Sequence, residues 1–224
     1  MKGGIIRGCG QRQRNGLMNA MPSFDAVVRR LFSQPGWTSK ALLGGALCFV
    51  PVVNFLSFGY LLEYAFRVKG TRNLDLPEWN ELGWGDLFFR GLQFAAVFAL
   101  TFLLPLLVGW LLSSLLDLLT MGILGYIAYA PLGIMAFVAP PLFLASLHLY
   151  VRDGLFSDVW NLSELFRLMA AAAKPLLIPT LAFWGLMTLG LALYGFAFFL
   201  GSWVLIAYST ALFVSMGPDR QPNF

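Results

Sequence analysis

Residues 175–216 run for 42 positions without a charged side chain, and this block limits the fold more than any other feature. A membrane-spanning helix needs about 20 apolar residues to cross about 30 Å of hydrocarbon. One straight helix of this length would reach roughly 63 Å at 1.5 Å per residue, twice the bilayer. The block therefore reads as a helical hairpin, with its turn expected between Gly195 and Gly201. Two further stretches are long enough to cross, 92–116 and 123–151. The prolines at 105, 131, 140, 141 and 179 do not exclude this, because neighbouring helices can satisfy the carbonyls that proline frees.

Charge agrees with lipid as the solvent. Only 12% of residues are charged and 58% are apolar, against about 25% charged in a soluble domain. The expected class is an all-α, polytopic membrane bundle with four full transmembrane helices. A chain of 224 residues has room for one such bundle and no second large domain. The expected organisation is a disordered basic tail over 1–22, a single membrane domain over 23–216 and a C-terminal tail over 217–224. Lys2, Arg7, Arg12 and Arg14 are not followed by the apolar core of a signal peptide. An organelle transit peptide is the alternative for this tail, and Met18 and Met21 are alternative starts.

Of the fifteen Lys and Arg residues, seven lie in 1–40, four in 67–90, three in 152–174, and one is Arg220. The turns near 117–122 and 195–201 hold none. Short loops rich in Lys and Arg stay cytoplasmic, so the basic segments and the C-terminus are expected inside a cell inner membrane. The net charge of +4 flanks apolar spans. That pattern suits anionic headgroups on the cytoplasmic side of the bilayer and gives no nucleic-acid signature.

The opening apolar stretch, 41–66, contains "GALCFVPVVNF" with Pro51 and Asn54 near its middle. It either spans as a helix kinked at Pro51, with the tail outside, or enters and returns as a re-entrant hairpin. The second arrangement places every basic residue on one side. Its arms of about 12 residues would reach roughly 18 Å deep. Pro51 then supplies the break, and Asn54 is the candidate cap for the freed backbone.

Amphipathic pieces precede the apolar segments. "NLDLPEWNEL" (73–82) has Asp75 and Glu78 at capping-box spacing with Pro77 in the first turn. "WNLSELFRLM" (160–169) repeats the spacing with Asn161 and Glu164. Trp79, Trp84 and Trp160 suit the headgroup level, and tyrosines 60, 64, 126, 129, 150, 194 and 208 suit an aromatic belt. Segments 27–40, 85–96 and 163–175 read as interfacial helices in three repeats, each leading into a hairpin.

Few residues can carry chemistry. Glu63 and His148 are the ionisable groups nearest the apolar core, each four positions before an arginine, Arg67 or Arg152. Paired at the cytoplasmic mouth, with Asn54 nearby, they could relay a proton or hold a polar headgroup. The plainer account is interfacial, with Glu63 in an i,i+4 pair with Arg67. Catalytic motifs are absent, Cys9 and Cys48 make no metal or disulfide pattern, and a single histidine excludes a multi-histidine metal site. The chain is read as non-enzymatic, with no cofactor. Protein partners and oligomeric state have no signature.

"PVVNFLSFGYLLEYAFRVKG", then "LPEW" and "DLFFRGL", resemble the membrane proteins grouped as domain of unknown function 4013. "LYVRDGLFSDVWNLSELFRL" continues the likeness, which covers 23–216. The resemblance implies a prokaryotic integral membrane protein and carries no catalytic or binding residues with it. The leading expectation is a scaffold or envelope-homeostasis protein. The alternative is a small transporter or lipid-handling protein with its site near the re-entrant segment.

Overall fold

The computed structural model describes residues 23–71 and 73–216. Both tails, and the expectations made for them, lie outside the described residues. The helices are α1 (Phe24–Phe32), α2 (Trp37–Leu47), α3 (Asn54–Thr71), α4 (Trp84–Phe98), α5 (Leu104–Leu119), α6 (Ala130–Asp153), α7 (Leu162–Leu189) and α8 (Tyr194–Met216). Four helical runs are long and apolar enough to cross a membrane: Trp84–Leu119, Gly125–Asp153, Leu162–Leu189 and Leu191–Met216. The described residues are all-helical, and the four long apolar runs are those of a multi-pass membrane protein.

Two of the expected surface helices are not separate elements. Segments 85–96 and 163–175 are the opening turns of α4 and α7, which run on unbroken into the apolar stretches, the second of them through Pro175. Pro105 does not break its span either. A π-helical turn, Ala99–Leu103, joins α4 to α5 just before it. The wider turn absorbs the missing N–H and the ring's clash with the preceding turn.

The turn of the long uncharged block also moves. It lies at 190–193, where Gly190 caps α7 by donating to Leu186 O at 2.8 Å and a 3-10 turn follows. Gly195 and Gly201 are inside α8. A Cβ on Gly195 would lie 2.8 Å from Gly45 O, and one on Gly201 2.8 Å from Phe183. These glycines permit close helix contact, the usual role of small residues between membrane helices.

Residues 41–66 form two helices joined by a break at 48–53. Ser57 Oγ donates to Gly44 O at 2.7 Å, so α3 folds back along α2. The tip packs on the start of α8, where Phe49 meets Tyr194 at 4.8 Å between ring centroids. Asn54 does not cap this break, since its Oδ1 is buried without a hydrogen-bond partner. Val52 beside Pro51 holds φ at 72°, a region that β-branched residues avoid. Its side chain is 62% exposed, so little packing offsets that strain. Val52→Gly is expected to stabilise the protein by about 1 kcal/mol, read as a raised melting temperature in detergent. An unchanged or lower value would show that the side chain contributes more than its backbone costs.

Residues 73–78 form no regular element, and only Trp79–Glu81 makes a single 3-10 turn, so the expected capped helix at 73–82 is absent. Pro77 disfavours helix at Leu76 and has no N–H to give. The backbone instead finds partners on both sides. Gln34 Nε2 donates to Leu74 O at 2.7 Å while its Oε1 accepts from Leu76 N at 3.0 Å. Lys40 Nζ donates to Leu76 O, Tyr60 OH to Pro77 O and Tyr64 OH to Leu74 O, at 3.0, 2.8 and 3.0 Å. Trp79 is not at the surface, being 7% exposed and stacked on Tyr60 at 4.0 Å. Tyr60 and Tyr64 therefore tie down this strap and do not belong to an aromatic belt. Trp84 and Trp160 are exposed, as headgroup anchors require.

The core is aromatic where α3, α4, α6, α7 and α8 converge. Phe98 meets Phe143 at 5.3 Å and Phe198 at 5.7 Å, and Phe102 meets Phe183 at 6.4 Å, all edge to face. The helix α1 lays Val27 and Leu31 on the bundle, with Ser23 accepting from Ala26 N as its N-cap.

Candidate functional site

The charged side chains gather at the end of the bundle where α3 and α6 finish and α4 and α7 begin. Helix α3 presents Glu63, Phe66, Arg67 and Gly70, spaced i, i+3, i+4, i+7, and α4 presents Asp86, Phe89, Arg90 and Gln93 in the same spacing. Such spacing puts four side chains on one helix face. The two faces, closed by Tyr150 and Gly154 at the end of α6, enclose a cleft of about 770 Å³.

Glu63 is the hub of the cleft. Its carboxylate accepts from Arg67 Nε at 3.1 Å and from Arg90 Nη1, and Arg67 Nη1 reaches Glu81 at 3.1 Å. Arg90 also lies over the Phe66 ring, 5.6 Å from its centroid. The i,i+4 pair with Arg67 is thus present, while Arg90 is a partner that sequence spacing could not supply. Glu63 is 15% exposed and the arginines 36% and 40%. Water reaches the arginines, so Glu63→Ala is expected to cost only about 1–2 kcal/mol in stability. Glu63→Ala combined with Arg90→Ala should recover part of that loss, since the second change removes a cation left facing Arg67. A strictly additive double mutant would argue against the triad.

Glu63 and His148 take separate partners. The His148 ring stacks on Phe213 at 4.7 Å, and its Nδ1 is buried without a hydrogen bond. Arg152 pairs with Asp153, Asp158 and Glu164 and not with His148. Asn54 belongs to the distant tip of the α2–α3 hairpin, so the three candidate residues do not form one site. Among the described residues, no group of three or more His, Cys, Asp or Glu could hold a metal ion.

Polar side chains within the spans are mostly spent on backbone. Thr101 Oγ1 donates to Val97 O and Ser146 Oγ to Leu142 O, both at 2.8 Å. Ser113 accepts from Leu132 N at 3.1 Å, satisfying a free amide at the start of α6, and Trp184 Nε1 donates to Ala136 O at 2.9 Å.

The clamped "LPEW" strap and the "DLFFRGL" face of α4 are two of the segments on which the family likeness rests. The family profile described as "Protein of unknown function (DUF4013)" matches residues 42–207. The chain belongs to the DUF4013 family. The match begins within α2 and ends within α8, so it takes in the hairpin, the strap and the cleft. No curated protein matches this chain. No solved structure matches it either.

Proposed function

We propose that this DUF4013 protein is a non-enzymatic structural element of the inner membrane, acting as a scaffold or in envelope homeostasis. In this reading the ends bearing Arg67, Arg90, Arg152 and the C-terminus face the cytoplasm. Their positive charge meets anionic headgroups, and the α2–α3 hairpin re-enters from that side. The observation carrying the proposal is the interlocked core. Phe98, Phe102, Phe143, Phe183 and Phe198 fill the middle of the bundle, where a transporter would place a polar site between broken helices.

Cysteine accessibility tests this without knowledge of a substrate. In a Cys9→Ser, Cys48→Ala background, cysteines replace Thr101, Thr180 or Ser202, which are 7%, 2% and 6% exposed. A scaffold leaves all three unlabelled by a membrane-impermeant maleimide from either face. Labelling from one or both faces would mean alternating access and would overturn the proposal. Topology is tested with Cys9 in the Cys48→Ala protein. It is expected to stay protected in intact spheroplasts and to label after permeabilisation.

A lipid-handling role is favoured by one observation, the open cleft at the charged rim.

A further inference from the structure

We propose that the cleft between α3, α4 and the end of α6 binds the headgroup of a zwitterionic phospholipid, a phosphodiester carrying a primary ammonium. Its charged walls balance: Arg67 and Arg90 against Glu63 and Asp86. Glu63 is consumed by the two arginines, but each guanidinium has five N–H donors. Arg67 uses Nε and Nη1, and Arg90 uses Nη1. The remaining donors suit a phosphate, which arginine recognises by its fork of N–H groups.

Asp86 supplies the opposite pole. It is exposed, and among the described residues no hydrogen bond or ion pair engages its carboxylate. Its place in the first turn of α4 suits the helix dipole. That accounts for an acid at this end of the helix but not for its sharing a cleft with two arginines that have donors to spare. A purely anionic headgroup would meet this carboxylate unfavourably. A quaternary ammonium has no N–H to donate to it. A primary ammonium can both neutralise it and hydrogen-bond to it.

The surroundings fit a lipid more than a soluble zwitterion. Phe89, one turn after Asp86, is 69% exposed, and Trp84, the first residue of α4, is 55% exposed. Beyond Gln93 the same helix continues into the apolar span, so acyl chains leaving the cleft would run along α4. Gly70 leaves the α3 wall low, since a Cβ there would meet nothing within 4 Å.

The test uses the full-length protein in detergent, titrated with short-chain phosphatidylethanolamine, phosphatidylglycerol or phosphatidylcholine of equal chain length. Native mass spectrometry counts the adducts. Ethanolamine lipid is expected to bind roughly tenfold more tightly than either of the others, about the effect of one charge-assisted hydrogen bond. Asp86→Asn should remove that preference with only the small fall in melting temperature that losing a first-turn acid brings. Asp86→Lys should turn the preference toward phosphatidylglycerol, which a merely helix-stabilising acid would not do. Equal binding of the three lipids by the wild-type protein, or a preference that survives Asp86→Asn, would overturn the proposal. Phosphoethanolamine binding as tightly as the lipid would overturn the lipid assignment. These outcomes are independent of the scaffold reading, which cysteine accessibility decides.

Discussion

Gly59→Val and Gly91→Val are each expected to abolish the folded protein, giving no monodisperse peak on size exclusion in detergent. The two residues form a reciprocal contact between α3 and α4. A Cβ on Gly59 would fall on the carbonyl of Leu87, and a Cβ on Gly91 on the carbonyl of Phe55. In both cases the obstacle is backbone, which cannot rotate aside as a side chain can. Overfilling a packed interface usually costs about 1–3 kcal/mol and sometimes more. Here even alanine should sit at the upper end, and valine beyond it. Gly133 and Gly185 are the controls, since a Cβ there meets nothing within 4 Å. Gly133→Ala and Gly185→Ala should be neutral, or stabilising by about 0.5–1 kcal/mol through backbone entropy. If Gly59→Ala melts no lower than Gly185→Ala, α3 and α4 are not in backbone contact.

Gln34→Leu should cost about 1–3 kcal/mol. The side chain is 8% exposed and satisfies two backbone groups of the strap, Leu74 O and Leu76 N. Leucine has nearly the same bulk and offers neither a donor nor an acceptor. Leu74 O keeps the Tyr64 hydroxyl, so Leu76 N is the buried group left unpaired, at about 1–3 kcal/mol. Gln34→Ala should cost less, because the smaller residue admits water to both groups. The order of the two melting temperatures tests the clamp. Leucine melting above alanine would mean that bulk, and not hydrogen bonding, is what Gln34 contributes.

The parts of the fold that were legible in the sequence depend on bulk hydrophobicity, and the parts that were not depend on distant partners. An uncharged run of 42 residues must double back in any bilayer, so the α7–α8 hairpin was expected. Its turn was misplaced because glycine marks both turns and close contacts. Gly195 and Gly201 face Gly45 and Phe183, which a local pattern does not contain. The strap fails as a helix for the same reason. Asp75 and Glu78 have the spacing of a capped helix, yet Gln34, Lys40, Tyr60 and Tyr64 claim its backbone from outside the segment. At the rim, the Glu63–Arg67 pair is local and was visible. Arg90 and Asp86 come from another helix, and the α3–α4 glycine contact that sets them opposite α3 involves one glycine per helix. A search for two glycines on one helix does not find that arrangement.

The hairpin α2–α3 also imposes an order in time. Its first arm packs on α8, with Gly44 against Phe199 and Gly45 against Phe196. The segments that meet there are about 150 residues apart in the chain. At synthesis rates of about 5–20 residues per second the first must wait roughly 8–30 s for the second. Until then the hairpin has only α1, the strap, α4 and the end of α6 for company. The last of the described helices to be made is thus the one that completes the first hairpin, and a chain cut short before α8 would leave that hairpin open to the proteases of the membrane.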